Sequence, residues 1–181
     1  MSDTANESAL TRKSPFWRFS VKFYAAPGVA PACIELQDQA GVDVNVLFFL
    51  LWNATQNRLL SQTEVADLER MIGAWRDMAV VPIRNVRRAL KSPPPVMTAE
   101  AAESLRTRIK AVELEAERLQ QEALYDLAQS GRFGRPAKAP IDAARASVAA
   151  YQAVLRQFPQ GPTEAVLSAF AAFASPASAG A

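Results

Sequence analysis

The 181-residue sequence contains no histidine and only one cysteine, and each scarcity excludes familiar kinds of site. Without histidine the chain lacks the commonest general base, the commonest metal ligand, and the Ser-His-Asp and Cys-His catalytic systems. One cysteine cannot form an intrachain disulfide or a site with several thiolate ligands. Cys33 lies between Ala32 and Ile34, so we predict a small buried side chain rather than a reactive thiol. We accordingly expect no metal site and no cofactor.

The sequence also has little net charge and no long hydrophobic run. Its 20 basic and 18 acidic side chains leave a formal charge of +2, which disfavours a general nucleic-acid coat. The first 13 residues contain no apolar stretch typical of a secretory signal. The longest apolar run, from Val46 to Trp52, is far shorter than the roughly 20 residues of a membrane span. We therefore expect a cytoplasmic protein with no membrane span.

What the chain does contain is helical periodicity and helix-capping residues, so the predicted fold class is all-α. Few segments alternate apolar and polar residues as strands do. Ser61-Gln62-Thr63-Glu64 has the capping-box pattern that opens a helix. The predicted helices are 14–26 with Ser14 as N-cap, 29–40, 43–57 with Asp43 as N-cap, 61–78, 82–91 beginning at Pro82, 98–130 with Thr98 as N-cap, 141–158, and 164–174 with Thr163 as N-cap.

Two of these helices define the predicted architecture, a compact multi-helix bundle. Residues 44–57 are apolar nearly all round, which is typical of one central buried helix. Residues 98–130 form a long helix whose apolar positions trace a seam close to a heptad repeat. At 1.5 Å per residue this helix is about 50 Å long, so it either packs on the bundle along its seam or pairs in part with another chain.

Composition divides the chain into five predicted segments. Residues 14–130 form a helical module, and residues 141–174 form a C-terminal helical extension. Between them, residues 131–140 contain two glycines and two prolines and are predicted to be a linker. Residues 1–13 are polar and residues 175–181 are small, so both ends are expected to be disordered.

A polar seam on the central helix is the first candidate site. Asn45, Trp52 and Gln56 lie at i, i+7 and i+11, on one stripe of an otherwise apolar helix. A buried amide needs partners, because leaving it unpaired costs roughly 1–3 kcal/mol. We expect those partners on the preceding helix, so the polar-pocket candidates are Glu35, Gln37, Asp38, Asn45, Trp52 and Gln56. The seam is either an internal network that fixes helix register or a small ligand pocket. No catalytic residue is predicted, because the two carboxylates Glu35 and Asp38, without a recognisable partner motif, are too generic a pattern to indicate acid–base catalysis.

A basic stripe is the second candidate site. Its four positive side chains lie at i, i+3, i+4 and i+7 on one helix face and are Arg84, Arg87, Arg88 and Lys91. Ile83, Val86 and Leu90 form an adjacent apolar face that can dock on the core. Three interpretations remain: ion pairs with acids of the long helix such as Glu113, Glu115 and Glu117, binding of an acidic partner protein, or contact with phosphate or nucleic acid. No aromatic platform supports the last.

Several motifs resemble those of a small family of proteobacterial proteins. They are Phe16-Trp17-Arg18-Phe19-Ser20, Leu36-Gln37, Val42-Asp43-Val44-Asn45 followed by Leu47 and Trp52, Trp75-Arg76, the segment from Val81 to Lys91, and Ile109-Lys110 to Glu117-Arg118. The resemblance spans residues 15–127, approximately, and leaves residues 131–181 outside. That family is known mainly as a domain of unknown function. The resemblance therefore implies a helical module and supplies no reaction, cofactor or substrate.

Together these features favour a non-catalytic helical interaction or regulatory module, although they do not decide against an enzyme. The expected partner is an unidentified protein, with a homodimer through the long helix as a further option, and nucleic acid is disfavoured. One alternative is a small-ligand-binding protein or unusual enzyme with a polar pocket at the central helix. A second is phosphate or nucleic-acid contact through the basic helix face. Any site in this chain must work through hydrogen bonds, carboxylates or arginine charge, which favours binding over catalysis.

Overall fold

The computed structural model describes residues 14–156 and 158–175, and most of them are helical. The helices are α1 (Pro15–Tyr24), α2 (Val29–Ala40), α3 (Val44–Thr55), α4 (Gln62–Trp75), a π-helical turn (Arg76–Val80), α5 (Val81–Ala89), α6 (Ala99–Gln129), α7 (Pro140–Leu155) and α8 (Gln160–Phe173). Two short strands, β1 (Arg58–Leu59) and β2 (Arg135–Pro136), pair antiparallel. The predicted all-α fold class is confirmed. The predictions for residues 1–13 and 176–181 lie outside the described residues.

Four helices begin where the sequence predicts, because a side chain caps the first turn of each. Ser14, Asp43 and Thr98 each accept a hydrogen bond from a backbone N–H of the helix that follows. Ser61 and Glu64 form the predicted capping box at the start of α4. The first backbone N–H groups of a helix have no partner within the helix, so these caps satisfy donors that would otherwise need water.

The predicted bounds of the last two helices are wrong for local reasons. Helix α8 begins at Gln160, with Pro159 rather than Thr163 as its N-cap. Thr163 lies inside the first turn, where its hydroxyl donates to the Pro159 carbonyl at 2.6 Å. Helix α7 ends at Leu155 because Arg156 takes a left-handed conformation with φ of +62°, which terminates the helix.

Helix α3 is the central buried helix that its apolar sequence predicts. Ten of its twelve residues are buried. Phenylalanine rings surround it, with Phe16 and Phe23 from α1 and Phe170 from α8 packing in the same core as Phe48 and Phe49 of α3. Contacts such as the edge-to-face pair of Phe16 and Phe49, with ring centroids 5.7 Å apart, fix α1 against α3. The hydrophobic core thereby holds the first turn of α3 in a fixed position.

The chain does not break between α4 and α5, although the sequence predicts an end near residue 78 and a new start at Pro82. The helix continues through the π-helical turn Arg76–Val80 directly into α5. In a regular α-helix a proline ring clashes with the carbonyl one turn earlier. The wider π-helical turn before Pro82 relieves that conflict. Turns of this kind are frequent at functional sites.

Residues 131–140 contain β2 and several side-chain anchors. Arg58 donates hydrogen bonds to the carbonyls of Phe133 and Gly134 at 2.6 and 2.7 Å. Gly134 has a φ of +80° and its N–H donates to Glu64, so a side chain at this position would be strained. Helix α7 packs against α3 and α4, and its residues belong to the same hydrophobic core as α1 and α3. The division into a 14–130 module, a 131–140 linker and a 141–174 extension stays a prediction. Among the described helices, none is long and apolar enough to cross a bilayer.

Candidate functional site

A cleft of 1150 Å³ lies between α1, α2, the first turn of α3, the π-helical turn with α5, and α6. Its outer walls are apolar. Four hydrophobic residues that are each 41–55% exposed line them: Val21, Tyr24, Ile34 and Leu114. Small-molecule sites typically enclose about 300–1,000 Å³ and combine apolar walls with a few polar groups. At 1150 Å³ the cleft is somewhat larger than this range, and it shares the mixed apolar and polar lining of such a site.

A chain of hydrogen-bonded side chains begins at Asp43, and three of its four members, Asp43, Asn45 and Gln121, line the buried part of the cleft. Gln120 Nε2 donates to Asp43 Oδ2 at 2.7 Å, and Asn45 Nδ2 donates to Gln120 Oε1 at 3.3 Å. Gln121 Nε2 then donates to Asn45 Oδ1 at 2.7 Å. We call Asp43, Gln120, Asn45 and Gln121 the amide relay. It links the start of α3 to the middle of α6.

The Asp43 carboxylate fixes the direction of the amide relay. Four donors converge on it: Gln120 Nε2, the N–H groups of Asn45 and Val46, and Arg76 Nη1 at 3.5 Å. A carboxylate only accepts hydrogen bonds, so Gln120 must present its NH₂ group to Asp43 and its oxygen to Asn45. Asn45 must then present its NH₂ group to Gln120 and its oxygen to Gln121, so Gln121 donates its NH₂ group and its Oε1 is the last atom of the relay. This oxygen is buried and accepts no hydrogen bond within the described part of the chain.

A second buried atom in the cleft shares this condition. Ser20 of α1 is 4% exposed, and its hydroxyl has no hydrogen-bond partner among the described residues. Ser20 and Gln121 both line the cleft. Buried polar atoms in folded proteins are nearly always paired, so these two side chains single out the cleft as a candidate binding site.

Behind the amide relay, an ionic cluster holds Asp43 in place. Arg76 of the π-helical turn pairs with Glu69 Oε2 at 2.7 Å as well as with Asp43. Tyr151 of α7 donates its hydroxyl proton to Glu69 and accepts from Asp43 N at 3.1 Å. Burial raises the pKa of Asp43, while Gln120 and Arg76 oppose that rise. Burial disfavours the charged form of Arg76 too, but Glu69 and Asp43 outweigh it and raise its pKa.

The basic stripe is largely paired within the chain. Arg84 bonds Glu113 at 3.0 Å and Glu117 at 2.8 Å, and Arg87 also bonds Glu113. The interpretation that Arg84 and Arg87 pair with acids of the long helix is therefore confirmed for two of the three expected acids. Glu115 pairs instead with Arg118, its neighbour one turn along α6. The expected docking of the adjacent apolar face on the core is wrong: Val86 is 49% exposed, and Ile83 and Leu90 are half-buried without packing against the hydrophobic core.

The other two members of the stripe are more open. Arg88 pairs with Asp38 at 2.7 Å across the cleft, and both side chains are 45% exposed. Lys91 is exposed and has no ion pair with any described residue. Lys110 of α6 also lines the cleft, and it too is exposed and has no ion pair with a described residue. All four members of the stripe line the cleft, so the two candidate sites of the sequence meet in one place.

The pKa values of Glu113 and Glu117, two carboxyl groups that line the cleft, shift in opposite directions. Burial raises the pKa of Glu113, but hydrogen bonds from Arg87 and Arg84 outweigh burial and the net pKa is lowered. For Glu117 burial dominates over Arg84, and nearby acids add to it, so its pKa is raised. Burial also raises the pKa of the Cys33 thiol to about 12, which leaves it protonated and unreactive, as predicted.

The structure brings half of the predicted polar-pocket residues into the cleft. Gln37, Asp38 and Asn45 line it. Expected partners of Asn45 on α2 are wrong, because Asn45 bonds Gln120 and Gln121 of α6 instead. That choice follows from packing: the buried face of α6 covers the first turn of α3.

The remaining three predicted residues lie outside the lining of the cleft. Glu35 accepts a hydrogen bond from Gln39 on the exposed face of α2. Trp52 is buried in the aromatic core, where its ring contacts Phe16 and Tyr125. Gln56 is the C-cap of α3, where the helix ends. Whether any of the six predicted residues binds a ligand stays a prediction.

Sequence reasoning missed the residues that complete the site: Ser20, Glu69, Gln120, Gln121 and Tyr151. None of them leaves a clear signal in the sequence, because Gln120 and Gln121 lie beside the apolar seam of the long helix, which continues past them through Leu119 and Ala123. Ser20 lies on a helix rich in aromatic residues and resembles any surface serine.

Two further observations concern metals and assembly. Within residues 14–156 and 158–175, no three His, Cys, Asp or Glu side chains are grouped to hold a metal ion.

On α6, Leu105, Val112 and Leu119 recur at seven-residue spacing and are 41–52% exposed. They lie on the opposite flank of α6 from the cleft, so the predicted homodimer through the long helix would leave the cleft open.

A family model described as a protein of unknown function (DUF2390) matches residues 15–124, which is more than half of the chain. No curated protein and no solved structure gives a significant match. The matched residues include every element that lines the cleft, whereas α7 and α8 lie beyond them. The resemblance to a helical family of unknown function is thereby confirmed, and the chain belongs to the DUF2390 family of proteins of unknown function.

Proposed function

We propose that the protein binds a small organic molecule in the cleft. One observation carries this proposal: Ser20 Oγ and Gln121 Oε1 are buried without a partner in the described chain, and both residues line the same 1150 Å³ cleft. An unpaired buried polar atom costs about 1–3 kcal/mol. A ligand group that bonds to these atoms recovers that cost.

The same geometry makes a protein-interaction role at the basic stripe the weaker candidate. Arg84 and Arg87 have Glu113 and Glu117 as partners, so an acidic protein would have to compete with charges already in contact. Arg88 is paired with Asp38, so Lys91 is the one member of the stripe without an ion pair to a described residue. An acidic protein would therefore have to displace existing ion pairs at three of the four positions of the stripe.

Binding is also better supported than catalysis. The acids in the cleft with raised pKa values are Asp43 and Glu117. Asp43 caps α3 and accepts from Gln120 and Arg76, while Glu117 accepts from Arg84. Both Asp43 oxygens already accept hydrogen bonds, so this carboxylate is poorly placed to take a proton from a substrate, as acid–base catalysis requires.

A fluorescent dye, 8-anilinonaphthalene-1-sulfonate, tests the proposal because it combines aromatic rings with a negative charge. We expect one dye molecule to bind saturably to each chain of the folded wild type, and the fluorescence of the dye measures this binding. Leu114→Trp places a large ring at the wall of the cleft, where the native side chain is 54% exposed, so the fold should tolerate it. This variant is expected to bind the dye roughly tenfold more weakly.

Leu119→Trp is the matched control. Leu119 lies on the same helix, is 41% exposed and does not line the cleft. Its variant should bind the dye as the wild type does. Equal dye affinity in the two tryptophan variants would contradict the proposal, because dye would then bind somewhere other than the cleft.

A further inference from the structure

We infer that the ligand is an amphipathic organic acid that carries a hydroxyl or N–H donor at the end remote from its acid group. The inference rests on the proposed function, that the cleft binds a small molecule, and it adds the chemistry and orientation of that molecule. Three features of the cleft carry it: the direction of the amide relay, the apolar walls and the charge at the edge.

The direction of the amide relay decides which group lies at the buried end. The Asp43 carboxylate forces each amide to point its NH₂ group toward Asp43, so the relay ends in an acceptor, Gln121 Oε1. An acceptor needs a donor, and a carboxylate or ether at this end of the ligand would face it unfavourably. The Ser20 hydroxyl can donate or accept, so it suits a ligand hydroxyl equally well.

One face of α6 connects this buried end to the edge of the cleft. Lys110, Leu114, Glu117 and Gln121 follow at spacings of four, three and four residues, and all four line the cleft. Lys110 and Gln121 are eleven residues apart, which at 1.5 Å per residue is about 16 Å along the helix axis. Leu114 lies between them, with Val21 and Tyr24 of α1 also on the wall. An elongated molecule with an apolar middle fits this surface.

The charge at the edge selects an acid for the outer end. Six cationic and four acidic side chains line the cleft, a formal charge of +2: Arg76, Arg84, Arg87, Arg88, Lys91 and Lys110 against Asp38, Asp43, Glu113 and Glu117. The acids are all paired with arginines. Lys91 and Lys110 are the exposed cations of the lining without an ion pair to a described residue. An ammonium at the outer end would meet these lysines, so a cationic ligand is disfavoured.

The experiment compares 12-hydroxydodecanoate with dodecanoate, two acids that differ only in the terminal hydroxyl. Calorimetric titration of the wild type should give a dissociation constant roughly three- to tenfold lower for the hydroxy acid, as one recovered hydrogen bond predicts. Gln121→Met removes the acceptor and keeps the volume, so the ratio of the two constants should fall to about one. Gln129→Met, at the exposed end of α6, is the control and should keep the wild-type ratio.

The edge charge is tested in the same titrations. Lys91→Glu with Lys110→Glu should weaken both acids by roughly tenfold without changing their ratio. Lys138→Glu changes the charge of the chain in the same direction outside the cleft and should have little effect. If the two-lysine variant binds both acids as the wild type does, the assignment of the acid end is overturned.

The outcomes separate this inference from the proposed function. If the dye and both acids fail to bind the wild type, the proposed function fails and the inference fails with it. If both acids bind with equal constants, the cleft binds small molecules but the donor assignment is wrong. Binding that weakens as protein concentration rises, together with dimerisation, would assign the cleft to a second copy and overturn the inference. The comparison of the two acids needs no variant, so it remains decisive if Gln121→Met does not fold; Ser20→Ala then provides the second test.

Discussion

Replacing Tyr151 by phenylalanine isolates one hydroxyl that joins the C-terminal helices to the candidate site. The ring is fully buried in the core, and phenylalanine preserves its packing. The hydroxyl accepts a hydrogen bond from Asp43 N at 3.1 Å and donates to Glu69. Burial and the neighbouring acids raise the pKa of Tyr151 well above 10.0, so the hydroxyl remains a donor at neutral and moderately alkaline pH.

The expected loss follows from the two partners. The Asp43 N–H becomes a buried donor without an acceptor, which costs about 1–3 kcal/mol. Glu69 loses one donor but keeps Arg76 at 2.7 Å, so we assign that loss about 1 kcal/mol. The free energy of unfolding should therefore fall by about 2–4 kcal/mol. For a chain of this size that lowers Tm by roughly 4–16 °C.

Urea unfolding followed by far-UV circular dichroism measures this loss, with an unchanged m-value as the sign of an unchanged fold. Tyr125→Phe is the control, because the Tyr125 ring contacts Trp52 at 5.6 Å while its hydroxyl has no hydrogen bond with any described residue. The control should stay within about 0.5 kcal/mol of the wild type. A Tyr151→Phe loss as small as that of the control would refute the reasoning, since the hydroxyl would then add nothing.

Three further changes test other parts of the structure. Glu113→Gln removes the charged acceptor of Arg84 and Arg87 and should lower the free energy of unfolding by about 2–3 kcal/mol near neutral pH. Because the pKa of Glu113 in the folded protein is below 4.5, this loss should be full above pH 4.5 and shrink as the pH falls. A pH-independent difference in urea unfolding would argue against this reasoning. Arg70→Ala breaks an exposed pair with Asp67 and should change stability by less than about 0.5 kcal/mol in the same assay; a larger loss would contradict the weak value assigned to exposed pairs. If the homodimer forms through α6, light scattering from about 1 to 100 µM should show the wild-type mass rising above 19.6 kDa, whereas the variant with Leu105, Val112 and Leu119 all changed to glutamine stays monomeric; a monomeric wild type throughout would end that proposal.

Local features of the fold were predictable because their causes are local. A cap such as Ser14 or Ser61 satisfies backbone donors within three residues of itself, so the sequence alone reveals it. The apolar run of α3 predicts its burial for a similar reason, since no face remains for water. The π-helical turn was not predictable, because Pro82 is equally compatible with the first turn of a new helix, which is where the sequence pattern places it.

The candidate site was predicted only in its outline. Asn45 was expected to need partners, and the basic stripe was expected to meet the acids of the long helix. The choice of Gln120 and Gln121 as partners depends on how α6 crosses α3, a contact between residues more than 70 positions apart. No periodicity within either helix encodes that crossing. The same holds for Tyr151, which meets Asp43 across 108 positions.

The lack of histidine acquires a physical meaning at the cleft. A histidine in the relay would exchange donor and acceptor roles between its tautomers, and its charge would change near neutral pH. An amide has no such freedom once one neighbour is fixed, so the Asp43 carboxylate determines the role of Gln121 Oε1 through two intervening amides. Asp43→Asn removes that constraint, because an asparagine that still caps α3 with its oxygen presents its NH₂ group to Gln120 where the wild type presents an acceptor. The preference of the wild type for 12-hydroxydodecanoate over dodecanoate should therefore decline toward about one in this variant, although Gln121 itself is untouched. An unchanged preference, measured by the same titration on a folded Asp43→Asn chain, would show that the carboxylate does not set the direction of the relay.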